Sequence, residues 1–258
     1  MAKLVGAEWV AGHLERPPVT IVDPRRPMKY LLGHLPGAIN IPVYKAFGPD
    51  GRLMEPAALA DFVGNAGLGD SSTPVLYDSP EGQNASMLAW ILEYLGRTDV
   101  SVMNSFYEAW KADGREVRYK PVEAAAQHFT ARVDPAVRAT LAELRDGGGF
   151  KLIDFRSREE FTGEKSMADD APGHIPGAVN LVWRDLASPP KHLLKSSEEL
   201  EQMLGAAGVA RGDRIVAYCR SGPRASLGYL ALRELGLDVR LFDGSYAEWM
   251  QAGLAVEK

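Results

Sequence analysis

Cysteine is nearly missing from this chain: one residue, Cys219, in 258. A single thiol excludes an intramolecular disulfide framework and fits a reducing compartment. Histidine is also scarce, five in all, and none flanks that cysteine, so a zinc site lacks its ligands. Basic residues are the minority, 29 Lys and Arg against 34 Asp and Glu, for a net charge of −5. That balance argues against nucleic-acid binding, which uses a strongly basic face. It also means that local groups must attract any anionic ligand against the overall field. No run approaches the roughly 18 apolar residues of a membrane span, and the first residues, "MAKLVGAEWVAGHLERPP", lack the apolar stretch of a signal peptide. The expectation is a cytoplasmic protein with no membrane or nucleic-acid partner, no metal and no cofactor.

What is present is ordinary in amount and unusual in arrangement. An apolar share of 46% and a charged share of 24% are those of a globular protein, and the length suits one large or two ordinary domains. The chain repeats itself. "GHLPGAIN" (Gly33 to Asn40) returns as "GHIPGAVN" (Gly173 to Asn180), each preceded by an apolar run ending in aspartate, "TIVDPRR" and "KLIDFRS". Downstream, "PVLYDSPEGQNAS" parallels "RIVAYCRSGPRAS" without a change in spacing, and each half closes on a similar segment, "SFYEAW" and "GSYAEW". Two copies at a long period mean two domains rather than a solenoid. The first is expected over residues 1–120 and the second over 133–258, separated by the polar stretch Lys111 to Asp134. Asp134-Pro135 followed by "AVRATLAELRDGGG" reads as cap, first-turn proline, helix and glycine stop.

In the second copy, short apolar runs ("FKLIDF", "AVNLV", "RIVAYC", "VRLFDG") alternate with helix-like segments ("SSEELEQMLGAAG", "ASLGYLALRELG"). Such alternation predicts an α/β fold, a mostly parallel sheet with helices on both faces in each domain. Ligands of such sheets bind at the carboxyl ends of the strands. Cys219 directly follows "RIVAY" and so stands at that edge.

A buried free cysteine can be a plain core residue, but this one sits in "CRSGPRA". Gly222 lets backbone approach a ligand, Pro223 stiffens the turn, and Arg220 and Arg224 bring positive charge. The helix expected from Ala225 directs its unpaired N–H groups at the loop. A thiolate is stabilised there, and so is an anion above it. Ser79 and Asp78 stand at this place in the first copy, where Glu81 also adds acid instead of arginine.

Protein tyrosine phosphatases also close a cysteine loop on arginine, with one more residue between the two than the four found here. The shorter ring is narrow for phosphate and suits a single sulfur atom. With that loop, the repeated "GHxPGA", "YLLGHLPGAINI" and "VRLFDGSYAEW", the chain resembles the tandem-domain rhodaneses, or thiosulfate sulfurtransferases, over nearly its whole length. The resemblance implies a catalytically inactive first domain and a catalytic second one. It implies that Cys219 takes the outer sulfur of thiosulfate as a persulfide and passes it to cyanide or a thiol acceptor, a protein thiol included. Backbone N–H groups from Arg220 to Ala225 would surround that sulfur, and Ser221 could donate through its hydroxyl. Arg220, Arg224 and Arg156 (from "IDFRS") would hold the donor's sulfonate, Arg156 alternatively pairing with Glu159 or Glu160. Asp154 would order the loop from behind. His34 and His174, repeated in both copies, read as structural. The insertion from Thr162 to Gly173 reads as a lid or a plain loop. Enzymes using 3-mercaptopyruvate, and persulfide carriers serving a protein partner, share this chemistry and stand as alternatives.

Overall fold

In a computed structural model of the chain, residues 2–166 and 171–258 are described. The chain divides into two compact units, Met1–Asp134 with Ser188–Leu193, and Pro135–Ala187 with Leu194–Lys258. The first unit contains strands β1 (Lys3–Val5), β2 (Val19–Asp23), β3 (Ile39–Asn40), β4 (Thr73–Asp78) and β5 (Ser101–Phe106) in the order β1-β5-β4-β2-β3. Its helices are α1 (Ala7–His13), α2 (Pro27–Leu31), α3 (Pro56–Asn65), α4 (Gln83–Tyr94) and α5 (Tyr107–Ala112). The second unit has β6 (Lys151–Asp154), β7 (Val179–Asn180), β8 (Ile215–Tyr218) and β9 (Val239–Leu241) in the order β7-β6-β8-β9. Around them lie α6 (Leu141–Arg145), α7 (Arg158–Thr162), α8 (Ser197–Ala206), α9 (Pro223–Glu234) and α10 (Ser245–Gln251). Every pairing between these strands is parallel. This is the two-domain α/β architecture expected from the sequence. Among the described residues, no helix is long and apolar enough to cross a membrane.

β4 and β8 lie inside their sheets, and the helix that follows each, α4 or α9, is buried almost all round. In α9 every residue from Ala225 to Leu232 is buried. Such a helix needs small residues where it meets the sheet: a Cβ on Gly228 would lie 2.3 Å from the Phe155 ring. That close approach seats α9, and the turn before it, over the carboxyl end of β6.

The polar stretch between the copies is fastened to the first unit. Arg118 and His34 exchange backbone hydrogen bonds (2.8 and 2.9 Å), Gln127 N–H donates to the Gly64 carbonyl and Arg132 N–H to that of Leu95, and Phe129 is buried. The helix expected from Pro135 is not there. Pro135–Val137 forms a short 3-10 turn, and α6 starts at Leu141 under a capping box of Thr140 and Glu143. The cause is tertiary: Arg138 bridges to Leu241 in parallel and pairs with Asp243 at 2.7 Å, while Ala139 N–H donates to the Leu241 carbonyl, which pulls these residues out straight. The insertion at Thr162 to Gly173 lies in part outside the described residues, at 167–170.

Candidate active site

Beneath the cysteine loop lies a buried clamp. The last residue of β6, Asp154, accepts two bonds from Arg156 Nε (3.1 and 3.0 Å), one from its Nη2 (2.7 Å) and one from its backbone N–H. Arg156 Nη2 also donates to the Gly173 carbonyl (2.8 Å), and its guanidinium lies over the Tyr246 ring, 3.9 Å from the centroid. Tyr218, paired in register with Asp154, accepts the Ile175 N–H on its hydroxyl. Burial opposes the charge of Arg156, but the Asp154 carboxylate outweighs it and holds the pKa above its ordinary value.

The first unit repeats the core of this arrangement. Arg25 pairs with Asp23, donates to the Gly33 carbonyl and lies over Tyr107, while Tyr77 accepts the Leu35 N–H. His34 and His174 complete the parallel. Each ring stacks on an aromatic residue of the preceding helix (Tyr30, Phe161) and donates from Nδ1 to that residue's carbonyl. The repeated "GHxPGA" is thus a structural latch in both copies. Arg156, expected to meet a donor or Glu159 or Glu160, is 3% exposed; its guanidinium donates to Asp154 and the Gly173 carbonyl, and its charge also helps lower the Glu160 pKa. Asp154 pairs in register with Tyr218, the residue before Cys219.

Above the clamp, Cys219 is 1% exposed, with its sulfur turned in to accept the Gly222 N–H at 3.2 Å. Its own N–H donates to Ser245 Oγ (3.2 Å), and its carbonyl accepts the Tyr246 N–H, as the Arg220 carbonyl accepts that of Ala247. The start of α10 therefore fixes the loop's backbone. Gly222 has φ +102° and caps α9, which begins at Pro223, two residues before the expected start at Ala225. Pro223 is suited to that first position, where no N–H is required. Ser221 is exposed, Arg220, Pro223 and Arg224 are half-buried, and Ala225 is buried.

Arg224 is held rather than free. Its Nη1 and Nη2 donate to Glu160 Oε2 (2.6 Å) and Oε1 (3.0 Å), a bidentate pair across 64 positions of sequence. Burial opposes the guanidinium charge. The hydrogen bond and charge of Glu160, and the charge and hydrogen bond of the adjacent Cys219 sulfur, outweigh it and keep the pKa raised. Among the described residues no group of His, Cys, Asp and Glu could hold a metal ion.

At the equivalent place the first unit carries a carboxylate. Ungapped comparison aligns Ser79 with Cys219; strand register does not. Asp154 pairs with Tyr218, and the pairing of Val22 with Leu76 sets Asp23 beside Tyr77 in the same way, so the next residue, Asp78, corresponds to Cys219. The first loop is one residue longer before its capping glycine, Gly82. Asp78 is 1% exposed and accepts backbone N–H groups from Ser79 (2.8 Å), Asn84 (2.7 Å) and Ala85 (3.0 Å), plus Asn84 Nδ2. The turn of this fold therefore gathers amide hydrogens around a fixed negative charge.

Four residues were given no site role in the sequence reading, Glu160 having been named only as an alternative partner of Arg156. Glu160 gave no signal beyond its acid character. Tyr218 and Tyr246 did carry one, since Tyr77 and Tyr107 recur in the other copy. Ser245, at φ +56°, could be found only from the backbone.

Comparison with known proteins agrees with this geometry. The rhodanese-like domain model matches residues 6–113 and again 137–252. The chain is 32% identical to a thiosulfate sulfurtransferase of Corynebacterium glutamicum, covering 96% of this chain and 87% of that one. It is 31% identical to the sulfur carrier protein TtuD of Thermus thermophilus, over 95% and 93% respectively. The crystal structure of SseA from Escherichia coli, described as a 3-mercaptopyruvate sulfotransferase, superposes with a TM-score of 0.86 at 27% identity, covering 95% of this chain and 99% of that one. Two matched domains, the duplicated latch and the cysteine turn lead to one conclusion: this chain belongs to the rhodanese family of sulfurtransferases.

Proposed function

We propose that the protein is a thiosulfate sulfurtransferase with Cys219 as its nucleophile. The observation that carries this reading is the Gly222 N–H directed at the Cys219 sulfur, beside Arg224, at the first turn of α9. These donors favour a negatively charged sulfur and need no rearrangement as it reacts. The Cys219 thiolate attacks the outer sulfur of thiosulfate, the donor's S–S bond breaks, and sulfite leaves with the electron pair. The resulting persulfide is attacked at its terminal sulfur by cyanide or a thiolate, which restores the Cys219 thiolate. Sulfite is a good leaving group, so no general acid is required. Asp78 in the first unit supports the reading from the other side: the same turn closes there on its own carboxylate, which leaves that unit without a nucleophile. In this reading residues 1–120 carry no catalysis and 133–258 do.

A 3-mercaptopyruvate donor is the second reading, favoured by the Glu160 pair, which neutralises one of the loop's two arginines and leaves less charge for a dianion. The test is intact mass after incubation with each donor, on the wild type and Cys219→Ser. One added sulfur from thiosulfate, lost in the serine variant, is expected. Faster loading from mercaptopyruvate would replace the first reading by the second. Because the thiol is only 1% exposed, the same measurement tests access: no sulfur gained from either donor would overturn both.

A further inference from the structure

We propose that Glu160 is a positioning residue: it holds Arg224 against the Cys219 sulfur and so sets how readily that sulfur reacts. The inference rests on Cys219 being the nucleophile, and deepens that reading. Glu160 is 8% exposed on the short helix α7. Each of its carboxylate oxygens takes one terminal nitrogen of Arg224, and Oε2 also accepts the Ser157 N–H at 3.1 Å in the capping box of α7. The carboxylate is therefore fixed by its own helix before it meets the arginine. Arg224 comes from a different element, the first turn of α9, on a side chain with several free rotations. A bidentate contact at its far end defines the plane and the direction of the guanidinium. Arg224 stands two positions after Gly222, whose N–H reaches the Cys219 sulfur at 3.2 Å, and that sulfur helps hold the arginine's pKa up. Among the described residues, Arg220 lies in the same loop, and Arg156, bridged to Asp154 at 2.7 Å, adds its own charge to that of Arg224 in lowering the Glu160 pKa.

Two effects of the carboxylate oppose each other, and this makes the role testable. As a bare negative charge near the sulfur, Glu160 disfavours a thiolate, so removing it would speed reaction at Cys219. As the anchor of Arg224, it favours the thiolate, so removing it would slow reaction. A purely structural cap on α7 would lower stability without singling out Arg224.

The experiment measures alkylation of Cys219 by iodoacetamide at fixed pH, and sulfur loading from thiosulfate by intact mass. It uses the full chain as wild type, Glu160→Gln, Arg224→Ala and the double variant. Glutamine keeps the length and an oxygen for the Ser157 N–H but cannot accept from both guanidinium nitrogens. The expected result in the wild-type background is a loss of about tenfold in both rates, the size of one loosened charge-assisted contact, with the half-saturating thiosulfate concentration within about twofold. In the Arg224→Ala background the same substitution changes either rate by less than about twofold, or raises it. An equal loss in both backgrounds, no loss, or a gain in the wild-type background would overturn the proposal. Should the glutamine variant fail to fold, Glu160→Asp, which keeps the charge but falls short of the bidentate contact, is read by the same criteria. A wild type that gained no sulfur and resisted alkylation would defeat the nucleophile reading instead, so the two failures are distinct.

Discussion

Asp78 and Cys219 stand at the same register position of their two sheets, each directly after the tyrosine whose hydroxyl accepts a backbone N–H from the "GHxPGA" segment. One position in one turn thus holds a carboxylate in the first unit and a thiol in the second. The carboxylate takes three backbone amides, and the thiol sulfur takes that of Gly222. The turn is built to face negative charge, and which side chain supplies or receives it distinguishes the copies.

Asp78 gives a pH dependence with a definite sign. Burial pushes its pKa from 3.8 up to about 6, against hydrogen bonds from Asn84, Ala85 and Ser79 that favour the charged form. Since the folded value lies above the unfolded one, the contribution is fully present below pH 3.8 and is lost as pH rises through about 6. Relative to Asp78→Asn, which does not titrate, the wild type should lose up to about 3 kcal/mol of unfolding free energy between pH 4 and pH 7. Urea unfolding of both proteins across that range checks it, and a constant difference would contradict it.

Arg156 and Arg25 should behave alike. Replacing either by alanine strands a buried aspartate, at a cost of about 3–5 kcal/mol. A donor-binding role would single out Arg156. Unfolding midpoints of Arg25→Ala and Arg156→Ala decide the matter: unchanged stability of Arg156→Ala with weakened thiosulfate saturation would refute the structural role.

Gly222→Ala should damage chemistry more than folding. At φ +102° an alanine costs about 1–2 kcal/mol, and relief of that strain swings the N–H away from the Cys219 sulfur. Sulfur loading should fall at least about tenfold while the chain stays folded. Circular dichroism and intact mass after thiosulfate treatment give the two readouts; undiminished loading would show that this amide is not needed.

Much of this protein is legible along the chain, because much of it is local. The duplicated "GHxPGA" and its aspartates announce two units, and "RIVAYC" followed by a helix places the thiol at a strand's carboxyl end. Where the reading went astray, the deciding contact was distant. Arg224 meets Glu160 across 64 positions, a pairing that no local pattern signals. The helix expected at Pro135 is undone by β9 and Asp243, more than a hundred residues away.

The sequence by itself determined the repeat, the class of fold and the place of the one thiol at a strand's carboxyl end, since periodicity and turn chemistry act over a few residues. Tertiary structure alone decided what surrounds that thiol. The extra residue in the first loop shifts Asp78, not Ser79, into the thiol's place, and Glu160 meets Arg224 across 64 positions. Register and bidentate pairing depend on how neighbouring strands and helices are set side by side, and no local pattern carries that information.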